Sequence, residues 1–215
     1  MVSSLKKLME EPTLVDGDDP EETYTTSGVS WEAYERLLAK LQDNSNYRVT
    51  YLDGILEIVS PSKRHESAKT RFSFLISFYL WKKRIIHFPF GSTTFKNEAR
   101  NAGAEPDECY NFLEEKDIPD LAIEVVVTSG SISKLEIYRR LGVAEVWFWL
   151  RNQQLKIYHL RDKSQKQQAD IFTATYGYEE ISKSEFLPQL DIDLLVRCLL
   201  IKDPIEGNDE FEKNI

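Results

Sequence analysis

The 215-residue sequence has few cysteines and no long apolar run. Its two cysteines, Cys109 and Cys198, are too few for a disulfide framework or a cysteine-based zinc site, which favours a reducing compartment. No apolar stretch approaches the ~18 residues that a membrane-spanning helix needs. The first residues lead into an acidic stretch instead of the apolar centre of a signal peptide. We therefore expect a soluble cytoplasmic protein.

The sequence also lacks an excess of basic charge, because its 36 acidic residues outnumber its 27 basic ones and the formal net charge is −9. Most of the excess acid lies at the two ends: residues 1–29 contain 7 acidic and 2 basic residues, and residues 201–215 contain 5 and 2. The middle is nearly neutral, and residues 63–84 hold 7 basic residues and 1 acidic residue. A general DNA-coating protein needs more basic charge, since phosphate neutralisation supplies most of its affinity. A local basic surface beside a metal site is still compatible with this composition.

Apolar residues make up 41% of the chain and aromatic residues 12%, which is enough for a packed core. The pattern predicts a loose acidic arm over residues 1–29, a single α/β domain over residues 30–200 and an acidic tail over residues 201–215.

The spacing of apolar residues predicts the helices and strands of that domain. Ser30 is expected to cap a first helix, and Asp53-Gly54 to form the turn of a hairpin over residues 47–59. Further helices are expected over about 63–84 and 131–141 and from Asp191, and further strands over 86–96, 107–113, 121–127, 143–150, 153–160 and 177–181. Strands 121–127 and 143–150 are apolar runs on either side of a helix, which predicts a parallel crossover. The expected fold is a mixed sheet flanked by helices.

One carboxylate breaks the apolar run 121–127. Glu124 lies on a strand that should be buried, so it needs a cation, a hydrogen-bond network or a metal, and a structural salt bridge would suffice. Asp107 follows Pro106 at the start of another strand. An Asp and a Glu on neighbouring strands can ligate a hard divalent ion through oxygen. The pair is a candidate metal site.

Two more residues are candidates for catalysis. Lys134 lies ten residues after Glu124, near the start of the crossover helix, from which its ammonium could orient a water or offset negative charge. It could equally be a solvated helix lysine. Glu66 is an acid among basic neighbours, where an ion pair with Lys63 or Lys69 would also explain it.

Three motifs carry a family resemblance: Ala104-Glu-Pro-Asp-Glu-Cys-Tyr110, Pro119-Asp-Leu-Ala-Ile-Glu-Val-Val126 and the segment from Lys134 to Trp147. Together with the Asp53-Gly54 hairpin and Arg64-His65-Glu66, they resemble the Uma-two family of restriction-endonuclease-like proteins. That family belongs to the PD-(D/E)xK nuclease superfamily. The resemblance extends from about Trp31 to Leu200.

The resemblance implies a restriction-endonuclease-like fold and a role for each candidate residue. Asp107 corresponds to the Asp of the signature, Glu124 to its second acid and Glu66 to the acid often found on the helix. Val126 stands where the superfamily has its lysine, and Lys134 from the next helix is similar to a migrated lysine that replaces it. The implied activity is Mg²⁺- or Mn²⁺-dependent hydrolysis of DNA, with Asp107 and Glu124 as metal ligands.

Other functions compete with this interpretation. A retired nuclease fold that acts as a binding or assembly protein would suit the acidic ends. Nucleophilic hydrolysis by Cys109 or Cys198 with a histidine is poorly supported, because no pattern organises a triad. We also expect a homodimer. Twofold-symmetric dimers are common, and two symmetric active sites are the simplest way to cleave both strands of DNA. Five aromatic residues are candidates for its surface: Phe88, Phe90, Phe95, Trp147 and Trp149.

Overall fold

Two sheets and the helices packed on them make up a mixed α/β fold. The structure, a computed structural model, describes residues 21–41, 46–126, 133–161 and 176–215. The strands within these ranges are β1 Glu22–Thr26, β2 Arg48–Leu52, β3 Ile55–Ser60, β4 His87–Pro89, β5 Phe95–Asn97, β6 Ala102–Ala104, β7 Glu108–Phe112, β8 Leu121–Val126, β9 Glu145–Leu150, β10 Leu155–Leu160 and β11 Tyr178–Ile181. The helices are α1 Trp31–Leu41, α2 Lys63–Lys82, α3 Lys134–Leu141, α4 Ile192–Leu200 and α5 Pro204–Asn214.

Local sequence signals account for several of these boundaries. Ser30 accepts a hydrogen bond from the Ala33 amide at 3.2 Å and so caps α1. Asp53 and Gly54 have φ of 49° and 82°, the left-handed values that a two-residue hairpin turn requires. Asp191 accepts a bond from the Leu194 amide and caps α4. The predicted cap at Ser30, the predicted turn at Asp53-Gly54 and the predicted start of a helix at Asp191 are confirmed.

The six-stranded sheet has the order β11-β10-β9-β8-β7-β4, and the five-stranded sheet has the order β1-β3-β2-β6-β5. Strands β8 and β9 are parallel, with Glu124 opposite Phe148. Helix α3 connects them and ends at Gly142, whose φ of 95° stops the helix. The predicted parallel crossover is confirmed. Its helix begins at Lys134, and the expected start at residue 131 lies outside the described residues.

The main core lies between α2, α4 and one face of the six-stranded sheet. The predicted apolar stripe of α2 faces it, with Phe72, Leu75, Ile76 and Tyr79 all buried. Among the five aromatic candidates for a dimer surface, Phe95, Trp147 and Trp149 are buried in the two larger core clusters. Those three rings are therefore covered within the chain, whereas Phe88 and Phe90 are half-buried, and the homodimer stays a prediction.

The segment 86–96 is two strands rather than the one strand that its composition suggests. Strand β4 pairs with β7, whereas β5 pairs with β6 in the other sheet. The break has a physical cause in two residues. Pro89 cannot donate to a ladder, and Gly91 turns the chain at φ 56°. The chain thereby crosses from one sheet to the other.

Both acidic ends differ from their predicted form. Within the N-terminal arm, β1 pairs antiparallel with β3 as an edge strand. Its side chains are mostly exposed, so no apolar alternation announces it. The C-terminal tail is helix α5, which Asp203 caps by accepting from the Ile205 amide. Phe211 on this helix is 0% exposed and joins the main core. Among the described helices, none is long and apolar enough to cross a membrane.

Candidate active site

Asp107 immediately precedes strand β7, and Glu124 lies on the neighbouring antiparallel strand β8. Strand β7 pairs with β8 so that Glu108 faces Ile123, and the Asp107 amide donates to the Ile123 carbonyl at 3.1 Å. Both carboxylates line one cavity of ≈ 90 Å³. The sheet register therefore brings together two acids that are seventeen residues apart.

Each oxygen of the Asp107 carboxylate has a specific donor. Its Oδ2 accepts from the Val125 amide at 2.8 Å, and its Oδ1 lies 2.8 Å from His65 Nε2. The side chain is only 4% exposed. Burial by itself would raise the pKa of Asp107, but the hydrogen bond and charge of His65, the Val125 amide and the charge of Lys134 lower it below its ordinary value. Asp107 is therefore held as an anion in a fixed orientation.

His65 bridges Asp107 to a second buried carboxylate. Its Nδ1 lies 2.6 Å from Glu21 Oε1, and Glu21 is 4% exposed. Burial opposes the charged ring, yet the hydrogen bonds and charges of Asp107 and Glu21 raise the pKa of His65 to about 9. The ring is thus an imidazolium that donates to both carboxylates. Ser62 accepts from the His65 amide at the start of α2 and fixes where the ring emerges.

The first turn of α3 supplies the cation for Glu124. Lys134 Nζ lies 3.0 Å from Glu124 Oε1, and the Tyr138 hydroxyl donates to the same oxygen. Burial and the Asp107 charge raise the pKa of Glu124, although Lys134 opposes the shift. Burial would lower the pKa of Lys134, but Glu124, Asp107 and Glu57 raise it above its ordinary value. Lys134 therefore carries its charge beside both carboxylates.

Strand β2 and the segment before Asp107 bring a further ion pair to the cavity. Arg48 Nη1 lies 3.3 Å from Glu105 Oε1, and Arg48 Nε lies 3.8 Å from Asp107 Oδ1. Burial raises the pKa of Glu105 to about 7, against the lowering effect of Arg48, Lys134 and Lys69. Glu57 also lines this cavity and is 2% exposed.

Glu66 lies outside the cavity that the other three candidates line. Its side chain is 44% exposed and pairs with Arg48 at 3.5 Å and with Lys69 at 3.8 Å. Adjacent helix positions are about 100° apart, so the face of α2 that presents His65 turns Glu66 away. The expected role of Glu66 at the metal site stays a prediction, and its link to Asp107 runs through Arg48.

The cysteine–histidine alternative finds no support among the described residues. Cys109 is buried and donates to the Gly91 carbonyl, and burial together with the Glu108 charge raises the pKa of its thiol to about 12. Cys198 lies in the main core. Neither is a ready nucleophile, because attack requires the thiolate.

The oxygen donors of the cavity fit a hard divalent cation. In the described part of the chain, no group of three or more Asp, Glu, His or Cys side chains is arranged to hold a metal ion. Mg²⁺ does not require such a group, because it keeps several waters and binds through one or two carboxylates together with substrate phosphate. Asp107 and Glu124 provide those two carboxylates. In the structure His65 donates to Asp107 and Lys134 donates to Glu124.

Comparison with known protein families identifies the family to which the chain belongs. Residues 31–195 match the Uma2 family model, described as "putative restriction endonuclease". The chain belongs to the Uma2 family. The Uma2 match includes His65, Asp107, Glu124 and Lys134, whereas Glu21 and α5 lie outside it. The resemblance found in the sequence is confirmed, and the two-sheet α/β structure is the restriction-endonuclease-like fold of Uma2 proteins. A search of curated proteins finds no match.

Proposed function

We propose that this Uma2 protein is a Mg²⁺- or Mn²⁺-dependent endonuclease that hydrolyses DNA phosphodiester bonds. Family membership supports a nuclease in general. The observation that carries the finer proposal is the shared cavity of Asp107 and Glu124, with Lys134 Nζ 3.0 Å from Glu124 Oε1. Two carboxylates that share a cavity can hold a metal ion, and a neighbouring ammonium can offset the negative charge that develops on a phosphate.

In this proposal Asp107 and Glu124 hold the ion. When bound, the ion polarises the phosphate and acidifies a water. Asp107 is suited to be the permanent ligand, because the Val125 amide fixes one of its oxygens from the backbone. Glu124 is suited to exchange partners, because its donors are side chains, Lys134 and Tyr138, on a neighbouring helix.

In this proposal Lys134 positions the phosphate and offsets its developing negative charge. With its ammonium released from Glu124, it can donate to a phosphate oxygen as negative charge develops during attack. Its side chain is 24% exposed, so it reaches the cavity while its stem is covered. His65 and Arg48 pair with two of the other acids of the cavity, Glu21 and Glu105, whose charges would otherwise repel a phosphate. A homodimer belongs to the proposal, since two sites are needed to cut both strands together.

A second candidate function is a retired nuclease fold that binds or assembles without cutting. It is favoured by one observation: both proposed ligands already have buried cationic partners, His65 and Lys134. Such pairs satisfy the carboxylates in the absence of metal.

Cleavage of supercoiled plasmid DNA separates the two. The wild-type protein should relax or linearise plasmid in Mg²⁺ or Mn²⁺ and stop when EDTA is added, and Glu124→Ala should be inactive under the same conditions. Equal cleavage by wild type and Glu124→Ala would overturn the assignment, and no cleavage by folded wild type in either metal would favour the retired fold. Light scattering on the same sample reports the oligomeric state.

A further inference from the structure

A second cavity, larger than the first, adjoins it at the end of strand β8. It has a volume of ≈ 240 Å³, and its wall shares Val125 and Val126 with the cavity that holds Asp107 and Glu124. The two cavities are therefore neighbours across two residues of one strand. Val125 also connects them through the backbone, because its amide donates to Asp107.

The charged residues that line this second cavity are all arginines: Arg64, Arg71 and Arg151. They come from the first turns of α2 and from the segment after β9. An all-arginine lining is unexpected on a chain whose net charge is −9. Guanidinium groups present planar, bidentate donors that match phosphate oxygens. Such a lining favours an anion, and the guanidinium groups suit a phosphate.

One of the three guanidiniums is held in place by the fold. Arg71 Nη2 donates to the Cys198 carbonyl at 3.1 Å and to the Ile201 carbonyl at 2.9 Å, both at the end of α4. The same side chain also lines the cavity. A guanidinium anchored in this way needs little further ordering to bind an anion, which lowers the entropic cost of binding.

The rest of the cavity wall has the character of a nucleotide site. Apolar residues form a large part of it: Ala68, Trp149, Leu150, Leu199 and Leu200. Ser67 and Gln153 add polar groups. The volume lies below the ≈ 300–1,000 Å³ of a typical small-molecule pocket. It suits one sugar–phosphate unit of a longer strand better than a complete cofactor.

Arg64 and His65 are consecutive residues that line different cavities. Arg64 lines the second cavity, and His65 lines the first and holds Asp107. The start of α2 therefore contributes to both. A strand whose scissile phosphate lay at Asp107 and Glu124 could therefore place a neighbouring phosphate in the second cavity.

We propose that the arginine-lined cavity binds a backbone phosphate of the DNA. This phosphate lies next to the scissile phosphate, on the strand that is cut. This subsite rests on the proposed nuclease function for its substrate. It would hold the strand in register by charge and shape, without reading base sequence, as phosphate contacts generally do.

The test uses the double variant Arg64→Gln/Arg151→Gln of the full chain, which leaves the structural Arg71 in place. The matched control is Arg84→Gln/Arg197→Gln, which removes the same charge from exposed positions outside the cavity. The probe is a short fluorescent DNA duplex, with Kd measured by anisotropy over a salt series in EDTA. KM and kcat for plasmid cleavage in Mg²⁺ are measured in parallel.

The cavity variant should raise Kd about tenfold or more and lower the slope of log Kd against log salt by about 1, because the loss of one phosphate contact removes about one released counterion. The control should stay within about twofold of wild type. Equal effects of the two double variants would overturn the subsite, and cleavage by wild type would then leave the nuclease proposal standing. Binding that depends on the two arginines without any cleavage supports the subsite and refutes the nuclease. A wild-type protein that neither binds nor cuts DNA overturns both.

Discussion

Lys134 Nζ lies 3.0 Å from Glu124 Oε1, and this ion pair connects the crossover helix to the buried strand that precedes it. Glu124 is 5% exposed and could not be accommodated there without a partner. Lys134 is the first residue of α3, so the place where the helix begins decides whether its ammonium reaches the cavity. In the proposed mechanism this pair opens, which frees a carboxylate for the ion and an ammonium for the phosphate.

Lys134→Ala should reduce metal-dependent plasmid cleavage by about 100-fold or more, the scale of losing one charge-stabilising group. Lys82→Ala is the matched control, because Lys82 also pairs with a glutamate at 3.0 Å but on the surface, with Glu212. It should cleave as wild type does. Unchanged cleavage by Lys134→Ala, with Glu124→Ala inactive, would refute the role assigned to the lysine.

Glu124→Gln should abolish calorimetrically detectable binding of Mn²⁺, because an amide is a poor ligand for a hard cation and one of only two carboxylates is lost. Glu66→Gln should bind Mn²⁺ as wild type does, since Glu66 lies outside the cavity. Loss of binding in Glu66→Gln with retention in Glu124→Gln would reverse the assignment of the metal ligands.

The imidazolium of His65 should make folding stability fall in alkaline solution. The folded-state pKa of His65 is raised to about 9 from 6.5, so its stabilisation is complete below pH 6.5 and is lost as the pH rises through 9. A shift of this size corresponds to about 3 kcal/mol of unfolding free energy. Urea unfolding at pH 6.5 and pH 9.5 measures it.

His65→Gln should remove this pH dependence, whereas His87→Gln should keep it, because the ring of His87 bonds to the Ile85 carbonyl and not to a carboxylate of the cavity. A wild-type unfolding free energy that is flat between the two pH values would contradict the buried Glu21–His65–Asp107 chain.

Phe211→Ala should destabilise the protein by about 3–5 kcal/mol, because the ring is fully buried and its removal leaves a cavity in the main core. Ile205→Ala on the same helix should change stability by less than about 0.5 kcal/mol, since Ile205 is 69% exposed. Chemical denaturation compares the two. Equal, small effects would mean that α5 does not dock on the domain.

The sequence is informative where a residue conflicts with its surroundings. A carboxylate inside an apolar run identifies Glu124, and a second acid after Pro106 identifies Asp107. Turn and cap residues likewise predict the hairpin and the helix boundaries, because their signals are local.

The rest of the site depends on contacts that are distant in sequence. The sequence favours Glu66 over His65 as the helix residue of the site, because helical pattern alone does not say which side of α2 faces the cavity. Arg48 and Glu105 come from a hairpin and a loop that only the two-sheet packing brings to Asp107. Arg48 is the one charged residue of its hairpin strand, and this is the signal by which the sequence could have identified it as a site residue. Edge strand β1 gives no signal, since it is held by backbone pairing.

The central claim is that Asp107 and Glu124 hold one divalent ion. A crystal structure of the protein soaked in Mn²⁺, with anomalous data, tests it most directly. We expect one anomalous peak between the two carboxylates, with oxygen ligands at roughly 2.0–2.6 Å and Lys134 Nζ displaced from Glu124 Oε1. A clear density map that shows Lys134 still paired with Glu124, and no peak at either carboxylate, would contradict it.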